Sequence, residues 1–433
     1  MRRNVLLTLF LLAALLAGCS TAASTMPAST SPSAAASLAA EASAAASSSA
    51  TTSPPAPVTF AATAESETTN AARPRLMIWH SFAPGSREEQ TLHGLLDTAR
   101  QAQGNIEIAA QAVSGDQLLD RFELVAAAGG GPDLVIGPND FLLRQARAEL
   151  LRAVDTDLGT SKDSFAPNAL GNLSVDGRLY GVPLSRSTVA LYFNRGQVSD
   201  PPPTTQGLLD AVKAGVKIVL IRSSYHNFGF LGAFGGQLFD DEGRCVADAG
   251  GVADAFGYLR ELKAAGAHFV TDGSEAEALF KAGEATITVN GSWLLGDYRA
   301  ALGDQLGVAP LPAGPAGPAK PLVSSTGVLL NATSAHTAQA MSVALFLTNA
   351  EAQLKWADEA GLLPANPTVA IADAHVGGLA AAALTGVARP QRPELAAFWQ
   401  PFDAALAEVL ENNADPVAAV QAACAAVNQA NGK

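Results

Sequence analysis

The sequence predicts an α/β fold, and three local observations carry that expectation. First, short apolar runs alternate with amphipathic segments from residue 76 onward. Second, turn and cap residues stand between them at the right places. Third, the spacing from one run to the next suits a strand, a helix and a return to a parallel sheet.

Leu76-Met77-Ile78-Trp79 reads as a buried strand, followed by a turn at Pro84-Gly85. Ser86 with Glu89 forms a capping box, and Leu92, Leu95, Leu96 and Ala99 then recur on one helical face. A strand over 106–113, a helix over 116–128 and a stop at Gly129–Gly131 follow. The run "PDLVIGPND" is a strand that ends in a loop at Asp140. In open α/β sheets ligands sit beyond the carboxyl ends of strands. His80 and Ser81, after the first strand, and Asp140, after the third, are therefore site candidates on topology.

The folded part is preceded by two segments of different character. "MRRNVLLTLFLLAALLAGCS" has two arginines, an apolar stretch over 5–16 and small residues before Cys19. That stretch is short for a bilayer span and suits a signal peptide. Leu16-Ala17-Gly18-Cys19 resembles a bacterial lipobox, in which lipidated Cys19 becomes the first residue and anchors the chain to the cell membrane. The expected leader is 1–19. Residues 20–73 are Ala, Ser, Thr and Pro with little bulky apolar content, so a disordered tether is expected, with a reach of roughly 40 Å as a flexible coil.

Charge and composition narrow the function. Of 433 residues, 48% are hydrophobic, enough for about two domains. Loss of Arg2 and Arg3 with the leader leaves 25 basic against 40 acidic residues, a balance of −15. That field repels phosphate backbones and argues against nucleic acid. The six histidines show no ligand spacing, no phosphate-loop or nucleophile-elbow motif is present, and no acidic pair stands out. No metal, cofactor or catalytic residue is expected. Cys245 and Cys424 could pair, but two buried thiols are the expected state.

The stretch "ATITVNGSWLLGDY" (285–298) sets Trp293 just past an apolar strand, behind Gly291 and Ser292. Taken alone, the indole is either core filler or a flat surface offered to a ligand. Six stretches in order, "LMIWHSF", "LVAAAGGGPDLVIG", "DGRLYGVPLSRSTVALYFNRGQV", "TDGSEAEALFKAGEATITVNGSW", "GLLPAN" and "ELAAFWQPF", resemble the carbohydrate-binding extracellular solute-binding proteins of bacterial ABC importers, the family that includes maltose-binding proteins. The family's usual Tyr-Asn is Phe193-Asn194 here.

That resemblance implies a class II periplasmic-binding-protein-like fold of two lobes, each a sheet flanked by helices, with a ligand cleft between them. It places the N-terminal lobe at 74–185 plus 325–365 and the C-terminal lobe at 186–324 plus 366–433. Crossings fall at 183–188, 322–327 and 364–367. It further implies a monomer that captures a mono- or oligosaccharide and delivers it to ABC permease subunits. By resemblance, Trp293, Tyr225 and Trp399 present aromatic faces to the sugar, His226 accompanies Tyr225, and Asp140 takes hydroxyls. Trp399 could instead be helix core with Phe398 and Phe402. Arg186 would clamp an anionic group or bridge the lobes. Maltose-binding members carry other side chains at Gly137, Phe141, Ser187, Ser223, Gln400 and Asp403, so maltose does not carry over. A non-sugar solute, a glycan-active enzyme and a surface sensor are the alternatives.

Overall fold

The computed structural model describes residues 74–103 and 106–433. The expected signal peptide with Cys19 and the expected tether over 20–73 lie outside the described residues. Among the described residues, no helix is long and apolar enough to cross a membrane.

The first elements form where the pattern requires. The opening strand is Arg75–His80. Ser86 Oγ accepts from the Glu89 N–H at 3.2 Å, and the Glu89 carboxylate reaches back to the Gly85 N–H at 2.6 Å. The capped helix Arg87–Gln103 buries Leu92, Leu95, Leu96 and Ala99 against the sheet. Each leucine so buried stabilises the fold by about 1.5–3 kcal/mol. The next strand and helix are Glu107–Ala112 and Gly115–Ala127, within a residue of expectation. The glycine-rich run that follows is a stop. Asp133 just after it accepts from the Met77 N–H at 2.8 Å and from the Ser334 hydroxyl at 2.6 Å, stapling the first strand to a distant loop.

The sheet runs in the order 107–112, 75–80, 134–138, 322–330, 181–194, 287–291, 218–221, 268–270. It is mixed and not wholly parallel, because strand 322–330 lies antiparallel to both of its neighbours. Chain alternation near the N-terminus could not reveal this, since 322–330 is supplied from nearly two hundred residues downstream. The strand Gly181–Asn194 is long enough to serve both halves of the sheet. Its residues 181–188 pair with 322–330, and residues 189–193 pair with 287–291. Leu363-Pro364 adds a short antiparallel pairing at Arg186 and Ser185.

Two large apolar cores flank this shared strand. One gathers residues from Leu76 to Leu184 with Val328 to Ala365. The other gathers Val189 to Leu322 with Leu395 to Val427. Trp356 is fully buried in the first, its Nε1–H donating to the Leu347 carbonyl at 3.1 Å, so this indole is core. In the second, the expected free thiols are instead a disulfide. Cys245 and Cys424 are bonded with Cα atoms 5.4 Å apart. With a sequence separation of 179 residues, no spacing pattern could announce the pair. The final helix Pro416–Ala430 brings Cys424 over the loop at Cys245, whose N–H also donates to Asn428 at 2.7 Å.

Candidate ligand-binding site

Three strands end at the same place, and the segments beyond them carry Trp293, Tyr225 and Asp140, with Trp399 added from a helix. Strand Ile287–Gly291 leads directly into Trp293. The backbone there is held from several sides. The Tyr192 hydroxyl donates to the Gly291 carbonyl at 3.0 Å, and Asn290 Nδ2 donates to the Tyr298 hydroxyl at 3.1 Å. The Thr188 N–H donates to Ser292 Oγ at 3.4 Å, tying the turn to the long shared strand. The indole folds back over Gly291 so closely that a β-carbon there would lie 2.1 Å from the ring. Trp293 nevertheless remains 53% exposed. It is not sealed in the core.

Strand Ile218–Ile221 delivers Tyr225 and His226. Asn227 Nδ2 donates to the carbonyls of Ile221 and Ser223 at 2.7 and 2.8 Å, which fixes the loop. The Ser224 N–H donates to Asp403 on the facing helix at 2.6 Å. Tyr225 then stands 6.2 Å from Trp293 and 6.0 Å from Trp399, ring centre to ring centre. Burial pushes its hydroxyl pKa up, with Ser324 hydrogen-bonding to it in opposition. His226 meets Trp293 edge-on at 6.3 Å, and burial drives its pKa down to about 4 despite the nearby Asp403 carboxylate. The imidazole is therefore neutral at pH 7.

Trp399 opens the helix Trp399–Glu411. Phe398 and Phe402 stack on each other at 4.1 Å and are both fully buried, so they form the helix core. Trp399 is turned the other way, half-buried beside Tyr225. Asp140 lies in the turn after strand Leu134–Pro138. It forms an ion pair with Arg389, a residue that the sequence analysis did not single out.

These residues enclose a cavity of about 380 Å³, lined by Asp140, Ser187, Tyr225, Trp293, Arg389 and Trp399, with Ser324–Thr326 of the shared sheet behind them. A smaller cavity of about 170 Å³ shares Asp140, Arg389 and Trp399. A larger depression, about 680 Å³, lies by the helices Thr205–Lys213 and Val252–Ala265, away from the strand ends.

The structure thus brings together Trp293, Tyr225, His226, Trp399 and Asp140, with Gly291 and Ser292 beneath. It does not bring in the rest. His80 is fully buried behind the first strand end, 5.7 Å from Phe82 and 6.4 Å from His93, ring to ring. Ser81 follows it and does not line the cavity; its N–H donates to the Ile136 carbonyl at 3.1 Å. Arg186 is buried and gives its Nε–H to the Pro364 carbonyl at 2.9 Å, with no carboxylate partner among the described residues. Among the described residues, neither a salt bridge nor a place in the cavity lining is found for Arg186. Arg389 was missed because its place depends on the short pairing of Val387-Ala388 with Leu322-Val323, which no periodicity marks.

Comparison with known proteins bears on the family and the fold. Residues 95–385 match the family model described as bacterial extracellular solute-binding protein. The chain is 26% identical over 364 residues to a maltotriose-binding protein of Pyrococcus abyssi, covering 78% of each chain. It is 28% identical over 342 residues to a galactooligosaccharide-binding protein of Bacillus subtilis, covering 71% of this chain and 79% of that one. Among solved structures, a Thermus thermophilus maltotriose-binding protein bound with maltotriose superposes with a TM-score of 0.69 at 25% identity, covering 82% of this chain and all of that one. A cyclo/maltodextrin-binding protein complexed with maltotetraose gives 0.75 at 24% identity over 83% of this chain and 98% of that one. The chain belongs to the bacterial extracellular solute-binding protein family and has its two-lobed periplasmic-binding-protein fold.

Proposed function

We propose that this protein captures a mono- or oligosaccharide in the aromatic cavity and delivers it to the permease of an ABC importer. The observation that carries the reading is the trio Tyr225, Trp293 and Trp399 converging beside Asp140 and Arg389 at the strand ends. A sugar ring has an apolar C–H face and a rim of hydroxyls. Aromatic contact with such a face contributes on the order of 1 kcal/mol beyond area burial. Each hydroxyl left unpaired in a closed site costs about 1–3 kcal/mol, which planar polar groups such as carboxylate and guanidinium avoid. The relatives named for maltotriose and galactooligosaccharide support an oligosaccharide.

Binding without turnover fits the lining better than hydrolysis does. Glycosidases set two carboxylates across the scissile bond, and the cavity lining offers one, Asp140, already paired with Arg389. Closure of the two lobes, divided at 74–185 plus 325–365 and 186–324 plus 366–433, is driven by whatever extra affinity the closed state has for the ligand. The lipobox-like segment supports anchoring through lipid on Cys19.

Titration calorimetry with maltotriose and a β-1,4-galactotriose tests the reading. Trp293→Ala weakens binding tenfold or more while the protein stays folded. An affinity unchanged within twofold removes the indole from the site. Cys19→Ser releases the protein from the membrane fraction if lipid is the anchor.

A further inference from the structure

The pair Asp140–Arg389 is unusual among the charged groups near the cavity, because it lies within the lining itself. Both partners are held on the same strand. Asn139, beside Asp140, accepts from the Ser325 N–H at 3.0 Å. The Arg389 N–H donates to the Val323 carbonyl at 3.1 Å and to Asn172 Oδ1 at 2.8 Å. The ion pair is therefore positioned by two anchored backbones, unlike a surface pair of two free side chains. Asp140 is the guanidinium's hydrogen-bond partner among the described residues, and Arg389 also lines the adjoining cavity, so donors remain for a ligand.

The other cations that line the two cavities are matched, and Arg186, which has no carboxylate partner among the described residues, lies outside the lining with its Nε–H on the Pro364 carbonyl. Arg144 is paired with Asp120 and Glu123, each at 2.6 Å. Arg392 lies 3.5 Å from Glu394 and donates to the Asp240 carbonyl at 3.0 Å. His226 is neutral at pH 7, and Asp403 beneath it brings a carboxylate. An incoming anion thus finds no unmatched cation in the cavity, whereas a neutral polyol can accept from Arg389 and donate to Asp140 without disturbing their charge balance.

We infer that the Asp140–Arg389 pair makes this a site for uncharged glycans and rejects those carrying uronic acids, with Asp140 as the residue that sets the choice. The inference rests on the carbohydrate reading above. A ligand carboxylate near Arg389 would also lie beside Asp140, and like charges at such separations repel strongly where water is excluded. Removing the Asp140 charge leaves Arg389 as an unmatched planar cation suited to a carboxylate. Removing the Arg389 charge leaves an acid suited to an amino sugar.

Calorimetry on the wild type, Asp140→Asn and Arg389→Gln tests this with matched probes. The probes are maltotriose and β-1,4-galactotriose, each beside its counterparts with one C6 carboxylate or one amino group in place of a hydroxyl. The expected wild type binds at least one neutral probe and holds its carboxylated counterpart at least tenfold more weakly. Asp140→Asn narrows that preference tenfold or reverses it, and Arg389→Gln shifts preference toward the amino counterpart. Melting curves at matched pH confirm that both variants fold. A wild type that holds the carboxylated probe as tightly as the neutral one overturns the inference, and so does an Asp140→Asn variant with the same preference as the wild type. Both outcomes leave the carbohydrate reading standing. A wild type that binds the carboxylated probe alone also overturns it, while binding of no probe removes the carbohydrate reading and the inference together.

Discussion

Gly291 lies directly beneath the indole of Trp293, with room for a hydrogen and no more. A methyl group built there would sit 2.1 Å from the ring. The backbone at Gly291 is extended, with φ of −79°, so conformational freedom is not the reason for glycine. Space is. The glycine lets the indole fold back on its own strand end and present the opposite face outward.

Gly291→Ala is therefore expected to displace Trp293 without straining the backbone. Overpacking of this kind costs about 1–3 kcal/mol, but here the exposed indole can swing away, so the loss should be at the low end. Glycan affinity falls by tenfold or more while the melting temperature moves by a few degrees. If thermal shift and calorimetry show affinity retained, the ring does not need that seat.

The motif "NGSW" leaves open whether Trp293 is core, and the exposure of the indole beside Tyr225 shows that it is not. Local features read well. The capping box at Ser86 and Glu89 and the apolar face of the first helix follow from periodicity and short-range hydrogen bonding. What depended on distant pairing did not. Strand 322–330 between 134–138 and 181–194 and the Cys245–Cys424 bond are set by contacts across well over a hundred residues, and the seat of Arg389 by a pairing about 65 residues back in the chain. His80 failed for a different reason. Being next after a strand does not say which way a side chain points, and its ring was taken into the first core. Trp399 and Phe398 show the same ambiguity resolved oppositely, since a step of one residue at the helix start separates a cavity wall from a core.

The disulfide is expected to matter to stability. Cys245–Cys424 closes a loop of 179 residues and ties the last helix to the second core. Restriction of the unfolded chain by such a bond stabilises by about 2–5 kcal/mol. The paired Cys245→Ser, Cys424→Ser variant melts several degrees lower, and reductant lowers the wild type toward the same value. A calorimetric scan in which reductant leaves the wild type unmoved removes the bond from the stability of the fold. A structural disulfide also accords with an oxidising compartment outside the cytoplasm.

Acid is expected to weaken the fold through its buried histidines. His226 has its pKa driven to about 4 by burial, against 6.5 in the unfolded chain. Between those values the unfolded chain binds the extra proton, so stability is full above about pH 6.5 and declines as pH falls toward 4. The shift corresponds to about 3 kcal/mol at most. His80, fully buried, has its pKa lowered by the same cause and adds to the decline. His226→Gln should flatten part of the fall in melting temperature between pH 7 and 4.5. An identical fall in the variant would place the acid sensitivity elsewhere.

Arg186 provides a test that separates architecture from ligand binding. Its guanidinium is buried where Gly181–Asn194 crosses between the cores, and burial alone lowers its pKa to about 10. A cation without a buried carboxylate carries a desolvation penalty that one hydrogen bond to the Pro364 carbonyl offsets only in part. Arg186→Met keeps the aliphatic stem and removes the charge. It forfeits the carbonyl's partner, worth about 1 kcal/mol, and sheds the larger penalty. The variant should be as stable as the wild type or more stable by about 1–2 kcal/mol in denaturant melts. Glycan affinity should stay within about threefold, because Arg186 does not line the cavity. A tenfold loss of affinity in a variant of undiminished stability would instead return this arginine to the ligand.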